Sequence, residues 1–143
     1  MSDNDQNIKR PTIGFVGLGL MGSAMVERLQ ELNYEVHVLA NNSRKNIESA
    51  IKRGAVEVSN GYDLACKSDV LMICVNTSET FEELIYGING IKKDLKKRSM
   101  IIDFGTSKPL FNKNIVQDLK NIGVWYVDAP LGRTPLFARK REN

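Results

Sequence analysis

The amino-acid sequence predicts an α/β protein, a doubly wound and mostly parallel sheet with helices on both faces. Short apolar runs alternate with amphipathic stretches along most of the chain, the pattern of strands joined by crossover helices. Most of the apolar runs are β-branched and nearly continuous in hydrophobicity, as strands covered on both faces are. A glycine-rich segment lies directly between the first run and the first helical stretch.

The strands are expected at Thr12–Val16, Glu35–Leu39, Val56–Val58, Val70–Val75, Met100–Phe104 and Val124–Val127. Between the first two, residues from Gly22 to Asn33 place Met25, Val26, Leu29 and Leu32 at helical spacing, with Glu27, Arg28, Gln30 and Glu31 opposite, which marks an amphipathic crossover helix. Further helices are expected over Arg44–Lys52, Gly61–Ala65, Glu79–Tyr86 and Pro109–Asn121. Pro109 suits a first helical position, where a missing N–H costs nothing, and Gly123 suits a stop. Gly87-Ile88-Asn89-Gly90 reads as a turn.

With 143 residues and 42% hydrophobic content, the chain is long enough for one domain with its own core. The expected boundaries are a flexible lead over residues 1–11, a domain over 12–132 and a ragged segment over 133–143. The longest apolar run, Val70 to Val75, is far short of the ~20 residues of a membrane-spanning helix. Met1 to Arg10 lacks the apolar stretch of a secretory signal. Cys66 and Cys74 have no metal-ligand spacing to each other or to His37, and both are expected to be reduced packing residues, in keeping with a cytoplasmic address. The net charge of +3 is modest, with basic residues concentrated only at Lys92–Arg98 and Arg133–Arg141. That argues against a nucleic-acid partner, which calls for a stronger basic stripe.

After the first strand comes Gly17-Leu18-Gly19-Leu20-Met21-Gly22, a G-x-G-x-x-G motif with a strand before it and a helix after it, the context that gives it weight. Gly17 allows the tight turn, Gly19 removes the Cβ that would block a pyrophosphate, and Gly22 lets helix and strand approach. The helix start then offers free N–H groups and a partial positive charge to phosphates. The fold class is therefore Rossmann-type, with a dinucleotide as the expected ligand. A methyl-donor-binding fold also uses glycines here, and the end of the second strand separates the two.

About 20 residues past such a loop, an NAD-preferring site carries an acid that accepts hydrogen bonds from the ribose hydroxyls. This chain reads Leu39-Ala40-Asn41-Asn42-Ser43-Arg44-Lys45, with no carboxylate before Glu48. Asn41, Asn42, Ser43 and Arg44 can donate hydrogen bonds to a 2′-phosphate, and Arg44 or Lys45 adds compensating charge. The expected cofactor is NADP(H), with NAD(H) second, and the methyl-donor reading weakens. Arg44 and Lys45 also fit a plain solvated helix start.

The sequence from Ile13 to about Pro135 resembles the β-hydroxyacid dehydrogenase family, which includes 3-hydroxyisobutyrate dehydrogenases, tartronate semialdehyde reductases and the NADP-binding domain of 6-phosphogluconate dehydrogenase. Ile13 to Gly22 is similar to the family's opening fingerprint, and Gly87-Ile88-Asn89-Gly90 to its G-x-x-G turn. Asp103-Phe104-Gly105-Thr106-Ser107-Lys108-Pro109 is similar to its D-x-S-T-x-x-P signature, and Asp128-Ala129-Pro130-Leu131-Gly132-Arg133-Thr134 to its D-A-P-V-S-G-G loop. The resemblance implies that Val75, Asn76 and Thr106 line the nicotinamide half of the cleft and that Gly132, Arg133 and Thr134 face the substrate. Gly132 stands where the family often has a substrate-binding Ser, and Arg133 suits a substrate carboxylate or sulfonate or a solvated loop.

Members of the family are about twice this length, and a following helical domain supplies the catalytic Lys. No catalytic residue is assigned in this chain. The expected function is the NADP(H)-binding domain of a 3-hydroxyacid dehydrogenase or small carbonyl-acid reductase, truncated before the helical domain. The alternative is a stand-alone, non-catalytic NADP(H)-binding module or regulator. The resemblance implies a small carbonyl or 3-hydroxy acid substrate, and a homo-oligomer, for the full-length relative.

Overall fold

The structure of the chain, a computed structural model, describes residues 9–39, 44–95, 98–105 and 109–129. Strands and helices alternate. β1 (Ile13–Val16) leads into α1 (Leu20–Glu31), β2 (Val36–Leu39) into α2 (Arg44–Lys52), and β3 (Val56–Val58) into α3 (Gly61–Lys67). β4 (Val70–Ile73) then leads into α4 (Ser78–Tyr86), and β5 (Met100–Asp103) into α5 (Pro109–Asn121), which returns to β6 (Trp125–Asp128). A 3-10 turn, Ile91–Asp94, follows α4.

The strands form one six-stranded sheet in the order β3-β2-β1-β4-β5-β6, every neighbouring pair parallel. Ile13 stands opposite Val36 on one side and Val70 on the other. The chain winds outward from β1 to β3, then crosses back to lay β4 beside β1. The winding reverses between β1 and β4, so the connections leaving their carboxyl ends diverge and open a crevice between them.

Alternation along the strands divides the apolar side chains between two cores. Ile13, Phe15, Val36 and Val38 face one side, where they pack with Val26 of α1 and with Ile47 and Ala50 of α2. Val16, Leu71, Ile73 and Ile101 face the other, against Leu64 of α3, Phe81 and Ile85 of α4, and Ile115 and Leu119 of α5. Each such side chain, once fully buried, contributes roughly 1.5–3 kcal/mol, and this double cover is what holds the sheet between its helices.

Three helices stop in the same way before feeding a strand. Asn33, Gly54 and Gly123 take positive φ values of 65°, 109° and 78°. The next amide in each case bonds back five residues: Tyr34 N–H to the Leu29 carbonyl at 3.1 Å, Ala55 to Ala50 at 3.0 Å and Val124 to Leu119 at 2.9 Å. These are Schellman ends, which satisfy the last helical carbonyls and turn the chain sharply back toward the sheet. Gly123 is the stop that the sequence predicts. At helix starts, the Asn60 side chain accepts from Asp63 N–H at 2.9 Å and Thr77 Oγ1 from Thr80 N–H at 3.1 Å, ordinary N-caps.

The structure corrects several boundaries. α1 begins at Leu20 rather than Gly22 and α4 at Ser78 rather than Glu79, while α3 runs on to Lys67. β4 ends at Ile73, so the apolar Cys74 and Val75, expected within the strand, belong to the loop beyond it. Phe104 likewise falls outside β5, and the last strand is shifted one residue, to Trp125–Asp128. Burial on both faces holds for the interior strands and fails at the edges, where Val56 is 44%, Trp125 68% and Val127 41% exposed. An edge strand reads like an interior one because β-branching and aromaticity fit the pleat wherever the strand sits. No helix among the described residues is long and apolar enough to cross a membrane.

Ile73→Ala, which removes a fully buried side chain from β4, is expected to cost about 2–5 kcal/mol. It should appear as a lower urea midpoint at unchanged slope. Trp125→Ser on the exposed edge should move stability by less than about 0.5 kcal/mol.

Candidate functional site

The crevice between the ends of β1 and β4 is built first from backbone. Gly17 has φ 98°, and a Cβ there would lie 1.9 Å from the Cys74 carbonyl oxygen. A Cβ on Gly22 would lie 1.7 Å from the Gly17 carbonyl oxygen. The turn therefore sits directly on the end of β4, and α1 sits directly on the turn, with Cys74 N–H donating to the Val16 carbonyl at 2.8 Å to fasten the two strand ends. A Cβ on Gly19, by contrast, would meet nothing within 4 Å. The middle glycine borders open space.

Two side chains hold the loop from behind. Asn46 of α2 donates through Nδ2 to the Leu18 carbonyl at 2.7 Å, and Ser23 of α1 donates through Oγ to the same oxygen at 3.1 Å. Gly19 is the N-cap of α1, which has no side-chain cap and no acidic residue in its first turn. The free amides and positive end of that helix are thus left for a ligand, and an anion is the natural one.

The cleft in front of the loop has a volume of about 440 Å³. One wall is Gly17 to Gly22, with Ile47 of α2 beside it; the other is Cys74, Val75 and Asn76 with Thr80 of α4. A second hollow of about 640 Å³ adjoins it, sharing Val75 and Thr80 and reaching Leu39 at the end of β2, with Glu79, Glu83 and the Gly87–Asn89 turn on its rim. Together they form a trough along the carboxyl edge of the sheet, centred on the β1–β4 reversal. Of the residues singled out in the sequence, Gly17, Leu18, Gly19, Leu20, Met21, Gly22, Val75 and Asn76 come together here. Asn41, Asn42, Ser43, Thr106, Gly132, Arg133 and Thr134 lie outside the described residues.

Arg44 opens α2 but does not line the cleft. Its Nη1 and Nη2 donate to the two carboxylate oxygens of Glu57 on β3 at 2.5 and 3.0 Å, and its Nε lies 3.5 Å from Glu48. The hydrogen bond from Arg44, aided by its charge, holds the Glu57 carboxyl below the usual carboxylate range, and the same pair raises Arg44 further. Lys45 is exposed.

Sequence reasoning missed several contributors. Asn46, Ile47, Ser23 and Thr80 carry no motif signal, since an Asn or Thr in a helix usually does nothing more than face water. Asp103 is a second case. Although fully buried, it accepts from Gly105 N–H through Oδ1 at 2.9 Å and from the Tyr126 hydroxyl through Oδ2 at 2.6 Å. A Cβ on Gly105 would lie 2.5 Å from the Val75 carbonyl oxygen, so this carboxylate seats the loop after β5 against the end of β4. Tyr126 in turn meets Phe81 of α4 edge-on, ring centroids 6.4 Å apart. Asp103 stood in a recognised motif, and its acceptor role was readable only with β6 alongside.

Cys74 is half-buried in the cleft wall. Burial raises its thiol above the ordinary value and the nearby Asp103 charge adds to the effect, so it remains a neutral thiol near pH 8 rather than an activated nucleophile. Among the described residues no cluster of His, Cys, Asp or Glu is arranged to hold a metal ion.

Gly17→Ala, with its positive φ and backbone overlap, should lose on the order of 3 kcal/mol or more in urea unfolding. Gly19→Ala, facing open space, should lose less than about 1 kcal/mol. Alkylation of Cys74 by iodoacetamide, followed by peptide mass spectrometry, should be slower at about pH 8 than that of an ordinary thiol and should still be rising with pH beyond the ordinary thiol range; rapid labelling at neutral pH would contradict the protonated thiol.

Comparison with known proteins adds three kinds of match. The family model described as the NAD binding domain of 6-phosphogluconate dehydrogenase matches residues 12–142. The 2-hydroxy-3-oxopropionate reductase of Escherichia coli K12 is 29% identical over 128 residues, covering 90% of this chain and 43% of that protein. The human mitochondrial 3-hydroxyisobutyrate dehydrogenase is 32% identical over 121 residues, covering 83% and 35%. A solved structure, Psf3 in complex with NADP+ and 2-OPP, superposes with a TM-score of 0.83 at 27% identity, covering 90% of this chain and 45% of that one. The chain spans less than half the length of each of these three proteins.

Proposed function

We propose that this chain, which belongs to the family of the NAD binding domain of 6-phosphogluconate dehydrogenase, is the NADP(H)-holding part of a 3-hydroxyacid dehydrogenase or small carbonyl-acid reductase. The observation that carries this reading is the uncapped start of α1 behind an open Gly19. It is a cradle that a Cβ would intrude upon, faced by amide donors and by no acidic side chain in that first turn, and it suits a pyrophosphate.

The adenosine end is assigned to the hollow that reaches Leu39, where the chain continues through Asn41, Asn42 and Ser43 to Arg44. The nicotinamide end is assigned to Val75 and Asn76, with Thr106 completing that side. When bound, the cofactor would provide hydride-transfer chemistry between its nicotinamide and the carbon of a carbonyl or alcohol. This chain's residues bind and orient it: the glycine loop fixes the phosphates, Asn46 and Ser23 fix the loop, and Asp103 fixes the segment that leads to Thr106. A small acid as substrate is supported by the names of the relatives, a 2-hydroxy-3-oxopropionate reductase and a 3-hydroxyisobutyrate dehydrogenase. Arg133 is the assigned partner of its acid group. The proton-transfer step is assigned to no described residue.

Preference for NADP(H) is supported by the lack of any carboxylate between Leu39 and Arg44 and by the cation at position 44. Titration with NADPH and NADH, following nicotinamide fluorescence, should show saturable binding of both with NADPH tighter. Gly19→Val should weaken both by about tenfold or more, since a branched side chain would occupy the phosphate site, while thermal melting stays near the parent value. Absence of binding by either nucleotide would remove the function, and NADH binding as tightly as NADPH would remove the preference.

A further inference from the structure

On the reading above, Arg44 is the charged group that meets a 2′-phosphate, yet its guanidinium is already engaged. Both terminal nitrogens face both oxygens of Glu57, a fork-on-fork arrangement equivalent to the one Arg uses to grip a phosphate. A phosphate and the Glu57 carboxylate therefore compete for the same N–H edges. The sheet brings Glu57 there: β3 lies against β2 with Val38 opposite Glu57, so its side chain reaches Arg44 across the gap between the edge strand and α2. Neither member is locked in place by burial, with side-chain exposures of 29% for Glu57 and 55% for Arg44. Such solvated pairs are weak enough to exchange partners. Glu48 on the next turn of α2 adds a second negative charge on the Nε side.

We infer that Glu57 is a built-in rival of the cofactor's 2′-phosphate for Arg44, and so limits how strongly the site favours NADP(H) over NAD(H). This rests on the NADP(H) reading of the same site. A ligand without the 2′-phosphate leaves the Arg44–Glu57 pair undisturbed. One that carries the phosphate must either displace the carboxylate or sit beside it, and both lower the gain from Arg44. Since Arg44 holds the Glu57 carboxyl below the usual range, the rival stays ionised at neutral pH and is neutralised only as the medium falls below that range.

The test is a binding cycle on the chain and its Glu57→Gln, Arg44→Ala and double variants, with NADPH and NADH as probes. Glu57→Gln keeps the shape and removes the charge. It should tighten NADPH by about three- to fivefold while changing NADH by less than about twofold, with thermal melts showing that each variant is folded. The gain should vanish when Arg44 is already Ala and shrink at high salt. Weaker NADPH binding in Glu57→Gln would overturn the inference, because Glu57 would then be orienting Arg44 for the phosphate. Equal tightening of both nucleotides, an unchanged ratio, or a gain that persists without Arg44 would also overturn it. These outcomes leave NADP(H) binding itself standing, whereas a parent chain that binds neither nucleotide removes both claims.

Discussion

The site depends on one close approach of backbone to backbone. The turn after β1 rests on the Cys74 carbonyl, and α1 rests on that turn, with no side chain between them at Gly17 or Gly22. Any Cβ at either position would push the helix off the strand ends and move its first amides away from the point where the sheet reverses. The open start of α1 is therefore first of all a packing arrangement. The middle glycine differs in kind, because the space beside Gly19 is empty and added bulk there would cost little in folding.

The rest of the domain serves to hold that approach still. Alternating strand residues commit Phe15 and Val38 to one core and Val16, Leu71 and Ile73 to the other, so β1 and β4 cannot slip by a residue without turning apolar groups outward. The Schellman ends after α1, α2 and α5 deliver each following strand at a fixed angle, and Asn46 ties α2 to the glycine loop through Leu18. Asp103 does the corresponding service on the far side, where it links the loop after β5 to β6. The two sides of the trough are thus anchored separately, one by a side chain of α2 and the other by a side chain of β5.

Much of this architecture is legible in the sequence because its signals are local. A strand's β-branched run, a helix's apolar stripe and a glycine motif in its proper flanks can each be read within a short window. What is not legible depends on partners far apart in the chain. Asn46 finds Leu18 across 28 residues, and Arg44 finds Glu57 only once β3 is laid against β2. The sequence shows a cation in the right neighbourhood for a phosphate and cannot show that a carboxylate has reached it first. The same reasoning explains the edges: Val56 and Trp125 have the residue types of interior strands, and only the sheet order reveals that they end it.

The chain contains one tryptophan, and the fold has put it on the outermost strand at 68% exposure, with β5 standing between β6 and the β4 wall of the trough. Its ultraviolet emission is therefore a lamp hung at the margin of the sheet. It will brighten or shift in colour when something comes to cover that border.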